Sequence, residues 1–287
     1  MSVINTNINS LNAQRNLSTS QSSLATSMQR LSSGLRINSA KDDAAGLSIA
    51  TKMDAQIRGM SQAVRNANDG ISLAQTADAG LSTATDALQR MRELAVQAAN
   101  GTNTTTDSAS LNKEYQALGA EVVRISQNTQ FNGANVLVSA ATPVGTDIQI
   151  GANSGQTINI ASTDLESLAR KLNADGSTTS TTTSLTGTTV AGAVTAANMA
   201  ITAIDTALTG VNALRADLGA AQNRLGYAVS NLQSGGESQS AAKSRIMDTD
   251  FAAETANLSR SQVLQQAGTA MVAQANQLPQ GVLALLR

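Results

Sequence analysis

The scarcity of proline is the strongest constraint on the fold of this chain. Only Pro143 and Pro279 occur in 287 residues. Proline breaks helices because it lacks a backbone N–H and its ring clashes with the preceding turn. The apolar residues before Pro143 also keep helical steps of three and four, through Ile57, Met60, Val64, Ala67, Ile71 and Ala74 and again through Leu81, Ala84, Leu88 and Met91. This spacing predicts one long helix over residues 44–100.

A second long helix is predicted to return along the first. Helical spacing resumes near Val190 and continues through Leu214, Leu218, Ala221, Leu225, Ala228 and Leu232, and Gly235-Gly236 can interrupt or end this helix. Shorter helices are predicted over residues 4–35, from a cap at Asp107 to Asn128, and from near 248–250 onwards. Alternation at 148–150 and 158–160 predicts a β-hairpin within residues 136–160. The predicted fold is mainly α, a long antiparallel helical rod or coiled coil with a small β-hairpin region and paired terminal helices.

The composition excludes most catalytic and binding chemistry. The chain has no His and no Cys, so it has neither an imidazole base nor a thiolate, and it contains no glycine-rich phosphate-binding motif. We therefore expect no enzyme activity, no cofactor and no metal site. A net charge of −1 with two Tyr, two Phe and no Trp also argues against nucleic-acid binding. No run of about 18 apolar residues occurs, so membrane insertion is not expected.

The two ends of the chain are almost free of charge. Residues 1–29 contain only Arg15, and residues 261–286 contain no charged residue. A solvated helix in a monomer normally carries charges on its outer face. The apolar stripes of the two ends are therefore as consistent with burial against other subunits, at one shared interface, as with an ordinary core.

Several segments identify a family. They are INTNINSLNAQRNL near the N-terminus, LSSGLRINSAKDDAAGLSIA at 31–50, QRMRELAVQAANGT at 89–102, TQFNG at 129–133, and the run from Ser244 to Arg287 that begins SRIMDTDFAAETANLSRSQ. Together they resemble bacterial flagellin over about residues 1–175 and 190–287. The Ser/Thr-rich segment 176–189 stands where many flagellins insert large outer domains, so the resemblance is to a short form.

The resemblance implies a structural subunit that is exported and polymerises into the flagellar filament. In that family, segments corresponding to 1–42 and 248–287 pair as the coiled coil of the inner tube, and 43–247 forms a helical-rod domain with the β-hairpin and the short insert. The implied location is secreted and extracellular, in the bacterial flagellum, after export unfolded through a type III route. The N-terminus agrees with this, because it has no Sec-type signal features. The candidate polymer-interface residues are Ile4, Ile8, Leu11, Leu264, Met271, Leu278, Leu283, Leu285 and Leu286.

The resemblance also implies partners. These are copies of the chain itself, a flagellar export chaperone, the hook-associated and cap proteins, a host Toll-like receptor for flagellin and cytosolic flagellin sensors. The family's cytosolic sensors read the C-terminal segment, which includes Leu283, Leu285 and Leu286. The residues that match the Toll-like receptor surface are Gln89, Arg90, Leu94, Glu114, Ile204, Leu208 and Arg224.

Two alternatives stay open on the residues alone. A monomeric coiled-coil adhesin or tail-fibre-like protein shares the helices and the Ser/Thr-rich loop, although it does not need two charge-free ends. The spacing of Arg90, Glu93 and Gln97 by itself favours a solvated polar face over a binding site. Leu94 is expected to be a small apolar contact at the centre of that face.

Overall fold

A computed structural model describes residues 7–138, 145, 147–160, 165 and 184–284, with side chains as far as residue 277. The described part is mainly helical, as predicted. In chain order its elements are α1 (Ile8–Ser33), α2 (Ala44–Ala98), α3 (Thr105–Asn128), β1 (Gln130–Phe131), β2 (Ala134–Asn135), β3 (Asp147–Gln149), β4 (Thr157–Asn159), α4 (Val190–Met247) and α5 (Phe251–Ala284). The chain divides into two compact units, Met1–Ile57 with Glu237–Arg287, and Arg58–Gly236. The predicted domain boundaries at 42/43 and 247/248 stay predictions.

The second unit is built on α2 and α4, which run antiparallel. Ion pairs mark their register: Arg92 Nε lies 2.7 Å from Asp205 Oδ1, and Arg215 Nε lies 2.8 Å from Asp78 Oδ1. The facing sides of the helices carry the stripes that the sequence predicts. Their buried members include Leu81, Ala84, Leu88, Met91, Ile204, Val211, Leu218 and Leu225. Many of the buried residues are alanines, and such small side chains let the helices approach closely.

The Gly235-Gly236 pair does not end the returning helix. α4 is helical through both glycines to Met247, so the interpretation of this pair as a possible end was wrong. Glycine in a helix interior costs about 1 kcal/mol relative to alanine. The packing of a helix as long as α4 offsets that amount.

One helix among the described residues, α4, is long and apolar enough to cross a membrane. Its most apolar 18-residue window has a mean hydropathy of 1.2, and 28% of that window is buried. The inward side of α4, with Ala200, Ile204 and Val211, lies in the core of the second unit. Core packing therefore accounts for this hydropathy.

The third helix begins at a capping box. Thr104 is the N-cap, and its Oγ1 accepts from the Asp107 backbone N–H at 3.2 Å, while the Asp107 carboxylate accepts from the Thr104 backbone N–H at 3.0 Å. The prediction that Asp107 is the cap was wrong by three residues. Asp107 occupies the third helical position, where its side chain reaches back to the cap.

We expect Thr104→Ala to lower the free energy of unfolding by about 1 kcal/mol. The Asp107 backbone N–H loses the hydroxyl oxygen that accepts from it, and the Asp107 carboxylate loses the hydroxyl that holds it beside the Thr104 backbone N–H. In a domain of this size a loss of about 1 kcal/mol is a decrease of roughly 2–4 °C in Tm, measured by circular dichroism. Thr106→Ala, one position inside the same helix, is the matched control, and we expect it to have a smaller effect.

The effect of Thr104→Ala should also depend on pH. Hydrogen bonds from the Thr104 hydroxyl and backbone hold the pKa of Asp107 below its ordinary value. A carboxyl group whose pKa is lower in the folded state stabilises the fold above its unfolded pKa, and this contribution is lost as pH falls through the folded pKa. The difference in Tm should therefore narrow below about pH 4. A constant difference on acidification would show that Asp107 takes no part.

Two small hairpins follow α3. Asn132 and Gly133 both have positive φ, 51° and 79°, as a two-residue turn between twisted strands requires. This confirms the turn predicted at Asn132-Gly133 and pairs β1 with β2. β3 pairs with β4 with Ile148 opposite Ile158, which confirms the predicted β-hairpin. The part of the Ser/Thr-rich segment at 176–183 lies outside the described residues.

Candidate assembly interface

The terminal helices α1 and α5 pack along each other in opposite directions. At one end Asn7 caps α1 by accepting from Ser10 N–H at 3.1 Å, and its Nδ2 donates to the Ala275 carbonyl at 2.7 Å. Ser10 Oγ donates to Asn276 Oδ1 at 2.7 Å. At the other end Arg30 Nη1 lies 3.8 Å from Glu254 Oε2. Polar contacts therefore join the two helices near both ends of the pair.

The middle of the pair is a close approach of the two helices. A Cβ placed on Gly268 would lie 3.1 Å from Leu17 Cδ1 and 3.6 Å from Leu17 Cβ. An alanine at 268 would therefore require the end of the Leu17 side chain to move by a few tenths of an ångström. The missing side chain of Gly268 therefore gives Leu17 of α1 room to pack against α5, and such packing is a common reason for a glycine inside a helix.

The fully buried residues of α1 and α5 are small or polar, with one buried carboxylate, and the half-buried ones include Leu17, Leu24, Leu31, Leu258 and Val272. The fully buried ones are Ser10, Ser27, Glu254, Ser261 and Ala275. In the second unit, in contrast, the fully buried residues include leucine, isoleucine and methionine.

Many large apolar residues of the terminal helices are exposed. Seven of them are at least half exposed: Ile8, Leu11, Met28, Phe251, Val263, Leu264 and Met271. Some of them border an open groove of about 480 Å³ between the two helices, lined by Asn12, Ala13 and Leu17 of α1 and by Leu264, Ala267 and Met271 of α5. A monomer rarely exposes so much uncharged apolar surface, and such surfaces are typical of interfaces. We call the seven residues and this groove the terminal apolar surface.

The structure places four of the predicted interface residues on this surface. They are Ile8, Leu11, Leu264 and Met271, with exposed fractions of 58%, 51%, 50% and 62%. Leu278 and Leu283 lie within α5, but their side chains are outside the described part, as are Ile4, Leu285 and Leu286 altogether. Sequence reasoning missed Gly268 and Glu254. Gly268 could have been noticed as a single glycine inside a helical pattern.

The connections between the helices are also tied together. Arg36 N–H donates to the Met247 carbonyl at 2.6 Å, and Thr249 N–H donates to the Gly34 carbonyl at 3.0 Å. These bonds flank an antiparallel bridge between Leu35 and Asp248. The chain leaving α1 and the chain entering α5 are therefore held side by side, which starts the two helices next to each other.

A second predicted surface lies on α2 and α3. Arg90 is exposed and donates to Glu93 Oε2 at 2.8 Å and to Glu114 Oε1 at 3.0 Å, and these hydrogen bonds raise the pKa of its guanidinium. The exposed side chain of Gln89 is its neighbour in sequence. The structure thus brings Arg90 of α2 and Glu114 of α3 together, as expected if these two helices pack antiparallel.

The other residues of this predicted set are placed differently. Leu94 and Ile204 are buried, with exposed fractions of 1% and 0%, so the expectation that Leu94 is a contact at the centre of an exposed patch was wrong. Leu94 lies on the side of α2 that packs into the core. Leu208 is half-buried and Arg224 is exposed.

Comparison with known families decides the identity of the chain. The family model for the bacterial flagellin N-terminal helical region matches residues 4–142, and the model for the bacterial flagellin C-terminal helical region matches residues 201–286. The chain belongs to the bacterial flagellin family. It is accordingly a structural subunit of the flagellar filament, an extracellular polymer that serves motility, and the interpretation as a monomeric adhesin is set aside.

Individual relatives agree with this assignment. The flagellin of Halalkalibacterium halodurans is 46% identical over 99% of this chain and 100% of its own length, and that of Xenorhabdus nematophila is 46% identical over 100% and 99%. The flagellin of Salmonella muenchen is 54% identical over 59% of this chain, but only 32% of its own length is matched. This flagellin therefore lacks the large variable domain.

Proposed function

We propose that the terminal apolar surface is where subunits of this flagellin pack against one another in the filament. Four of its members, Ile8, Leu11, Leu264 and Met271, are candidate interface residues from the sequence, and Ile4, Leu278, Leu283, Leu285 and Leu286 would extend it. The observation that carries the proposal is the exposure of large apolar side chains on two helices that have almost no charge. Segments 1–42 and 248–287 then form the inner tube, and 43–247 is the helical-rod domain.

The energetics support this assignment. Full burial of a large aliphatic side chain contributes about 1.5–3 kcal/mol, so a half-exposed one still contributes roughly 1 kcal/mol when a neighbour covers it. Seven such side chains per subunit offer several kcal/mol before the cost of ordering. The scarcity of charge keeps the cost of desolvation low, because few ions have to leave water.

Assembly of the purified full-length chain tests this proposal. We expect seeds or salt to convert the subunit into long filaments that are visible by electron microscopy. Analytical ultracentrifugation should show loss of the monomer at the same concentrations. A chain that stayed monomeric under all such conditions would contradict the proposal.

Export through the type III route of the flagellum completes the proposed function. The chain would pass unfolded, held by an export chaperone, and meet the cap and hook-associated proteins at the growing end. The absence of cysteine supports this route, since no disulfide can form to obstruct an unfolded chain in a narrow channel.

We also propose that the surface around Arg90 and Glu114 is recognised by the host Toll-like receptor, together with Gln89, Leu208 and Arg224. Its support is the resemblance to flagellins together with the exposed network of Arg90, Glu93 and Glu114. Interfaces often concentrate their binding energy in a few residues, and arginine is enriched among them. Leu94 and Ile204 would act from beneath, by holding the helices in place. Cytosolic sensors would read Leu283, Leu285 and Leu286.

We expect Arg90→Ala to weaken receptor signalling by at least about tenfold, which is roughly 1.4 kcal/mol. The measurement is a dose–response in reporter cells. Arg124→Ala is the matched control, because Arg124 also pairs with an exposed glutamate, Glu121, within one helix. Leu94→Ala is not a clean test, since truncating a buried leucine destabilises a fold by about 2–5 kcal/mol. Equal potency of Arg90→Ala and the parent, at equal helicity, would contradict this proposal.

A further inference from the structure

We propose that Arg30 and Glu254 are positioning residues that set the register between α1 and α5, and through it the shape of the terminal apolar surface. This inference rests on the proposed assembly surface. It assigns to one ion pair the task of carrying into the two helices the alignment that the backbone bridge between Leu35 and Asp248 begins.

The register is defined at three levels along the pair. Asn7 lies against Ala275 at one end, Leu17 lies against Gly268 in the middle, and Arg30 lies against Glu254 at the other end. The half-buried leucines, such as Leu17 against Gly268, contribute to the register. The uncharged polar contacts specify it weakly, since α1 and α5 are rich in Ser, Asn and Gln. A shift by one helical turn, about 5.4 Å, would offer many of the same polar partners.

Charge removes this ambiguity. Within the two helices α1 has only Arg15 and Arg30, and α5 has only Glu254 and Arg260. Glu254 is therefore the only acidic residue within the two helices as described, and it is 6% exposed. The carboxylate of Asp42, in the connection that follows α1, also interacts with the Arg30 charge but is exposed. In the observed register the Glu254 carboxylate faces Arg30 at 3.8 Å.

A shifted register would leave this carboxylate buried among uncharged groups. Burying a charge without its partner is strongly unfavourable, while a paired one is tolerated. Glu254 also lies in the first turn of α5, where the helix dipole favours a negative charge. A positive charge at position 254 would be unfavourable for the same reason, so the acidic residue of the pair belongs on α5 and the basic residue on α1.

The correct register determines the surface that neighbouring subunits meet. The groove takes Asn12, Ala13 and Leu17 from α1 and Leu264 and Met271 from α5. Sliding one helix by a turn would separate these two sets and change the groove. Arg30 and Glu254 thus act on assembly from a distance, through the helices that they align.

The test uses an introduced disulfide as a ruler of register. The chain has no cysteine, so a pair placed by mutation has no competitor. In Leu17→Cys/Gly268→Cys the Cβ atoms would be 3.6 Å apart, within the range of about 3.5–4.5 Å that a disulfide requires. The first substitution also removes the Leu17 Cδ1 atom that a side chain at 268 would approach. Ala13→Cys/Gly268→Cys, displaced by one turn, is the matched control.

The disulfide pair is combined with Arg30→Glu, with Glu254→Arg, with both together and with Arg30→Lys. The rate of intramolecular disulfide formation is measured in the full-length chain under assembly conditions, beside the critical concentration for filament growth. We expect each single reversal to slow disulfide formation and to raise the critical concentration by at least about tenfold. The double reversal should recover part of both losses, and Arg30→Lys should retain most of both.

The result that overturns the proposal is a parental rate of disulfide formation in the two single reversals. A double reversal no better than the worse single variant would do the same, because the two residues would then act independently. If the disulfide forms at 17/268 and responds to the reversals, but no variant including the parent grows filaments, the register inference holds and the proposed assembly surface fails.

Discussion

Leu264→Asp is expected to stop filament growth while leaving the free subunit as helical as the parent. Leu264 is 50% exposed on α5, and surface substitutions of this kind change the stability of a fold by about 0.5 kcal/mol or less. In the filament the same position is proposed to be covered by a neighbour. An unpaired carboxylate there costs about 3 kcal/mol or more, which raises the critical concentration at least about a hundredfold.

Met271→Lys, two turns further along the same side of the groove, should act in the same way with the opposite charge. The controls are Leu264→Met and Met271→Leu, which keep the volume and the apolar character and should assemble as the parent does. Critical concentrations are measured by sedimentation of filaments, and helicity by circular dichroism. Assembly of Leu264→Asp at the parental concentration would show that this face of α5 stays in water.

Removing both terminal segments, 1–42 and 248–287, should abolish assembly completely while the remainder stays folded. The unit Arg58–Gly236 has its own apolar core, in which Leu88 of α2 and Val211 and Leu218 of α4 are fully buried. That core does not need α1 or α5. The terminal apolar surface, in contrast, is lost entirely by the truncation.

The truncated chain should unfold cooperatively on heating and should keep the helicity that α2, α3 and α4 provide. It should not add to seeds made from the full-length chain at any accessible concentration. Deleting only 1–42 or only 248–287 should also prevent growth, because each terminal helix is the partner that the other packs against. Filaments of the doubly truncated chain would mean that the subunit interface lies elsewhere.

The helices, their order and one of their two packing arrangements could be predicted from the sequence. Helical spacing from Leu81 to Met91 and from Leu214 to Leu225 marks the sides of α2 and α4 that form the core. Period-two isoleucines predicted the hairpin of β3 and β4, and the Asn132-Gly133 pair predicted the turn between β1 and β2 but not the strands beside it. These signals are local, since each depends on residues within a few positions of one another.

The packing of the terminal helices could not be predicted from local sequence patterns. The sequence marks apolar stripes on both, and the ordinary interpretation is that a stripe faces the helix it packs on. In the structure part of each stripe is half-buried, as at Leu17 and Leu258, while Leu264 of α5 is half exposed. The lack of charge at both ends already pointed to this outcome, although it could not say which side of each helix pairs.

The sequence by itself determined the class of the fold, the family and the scarcity of charge at both ends, because proline content, periodicity, motifs and charge are properties of the chain. Only the tertiary structure decided that Leu94 is core rather than surface, that Thr104 caps α3, and that Arg30 meets Glu254. Each of these depends on how one helix is rotated and placed along another. Those rotations are set by the sum of many packing contacts between residues far apart in the chain, which no single stretch of sequence contains.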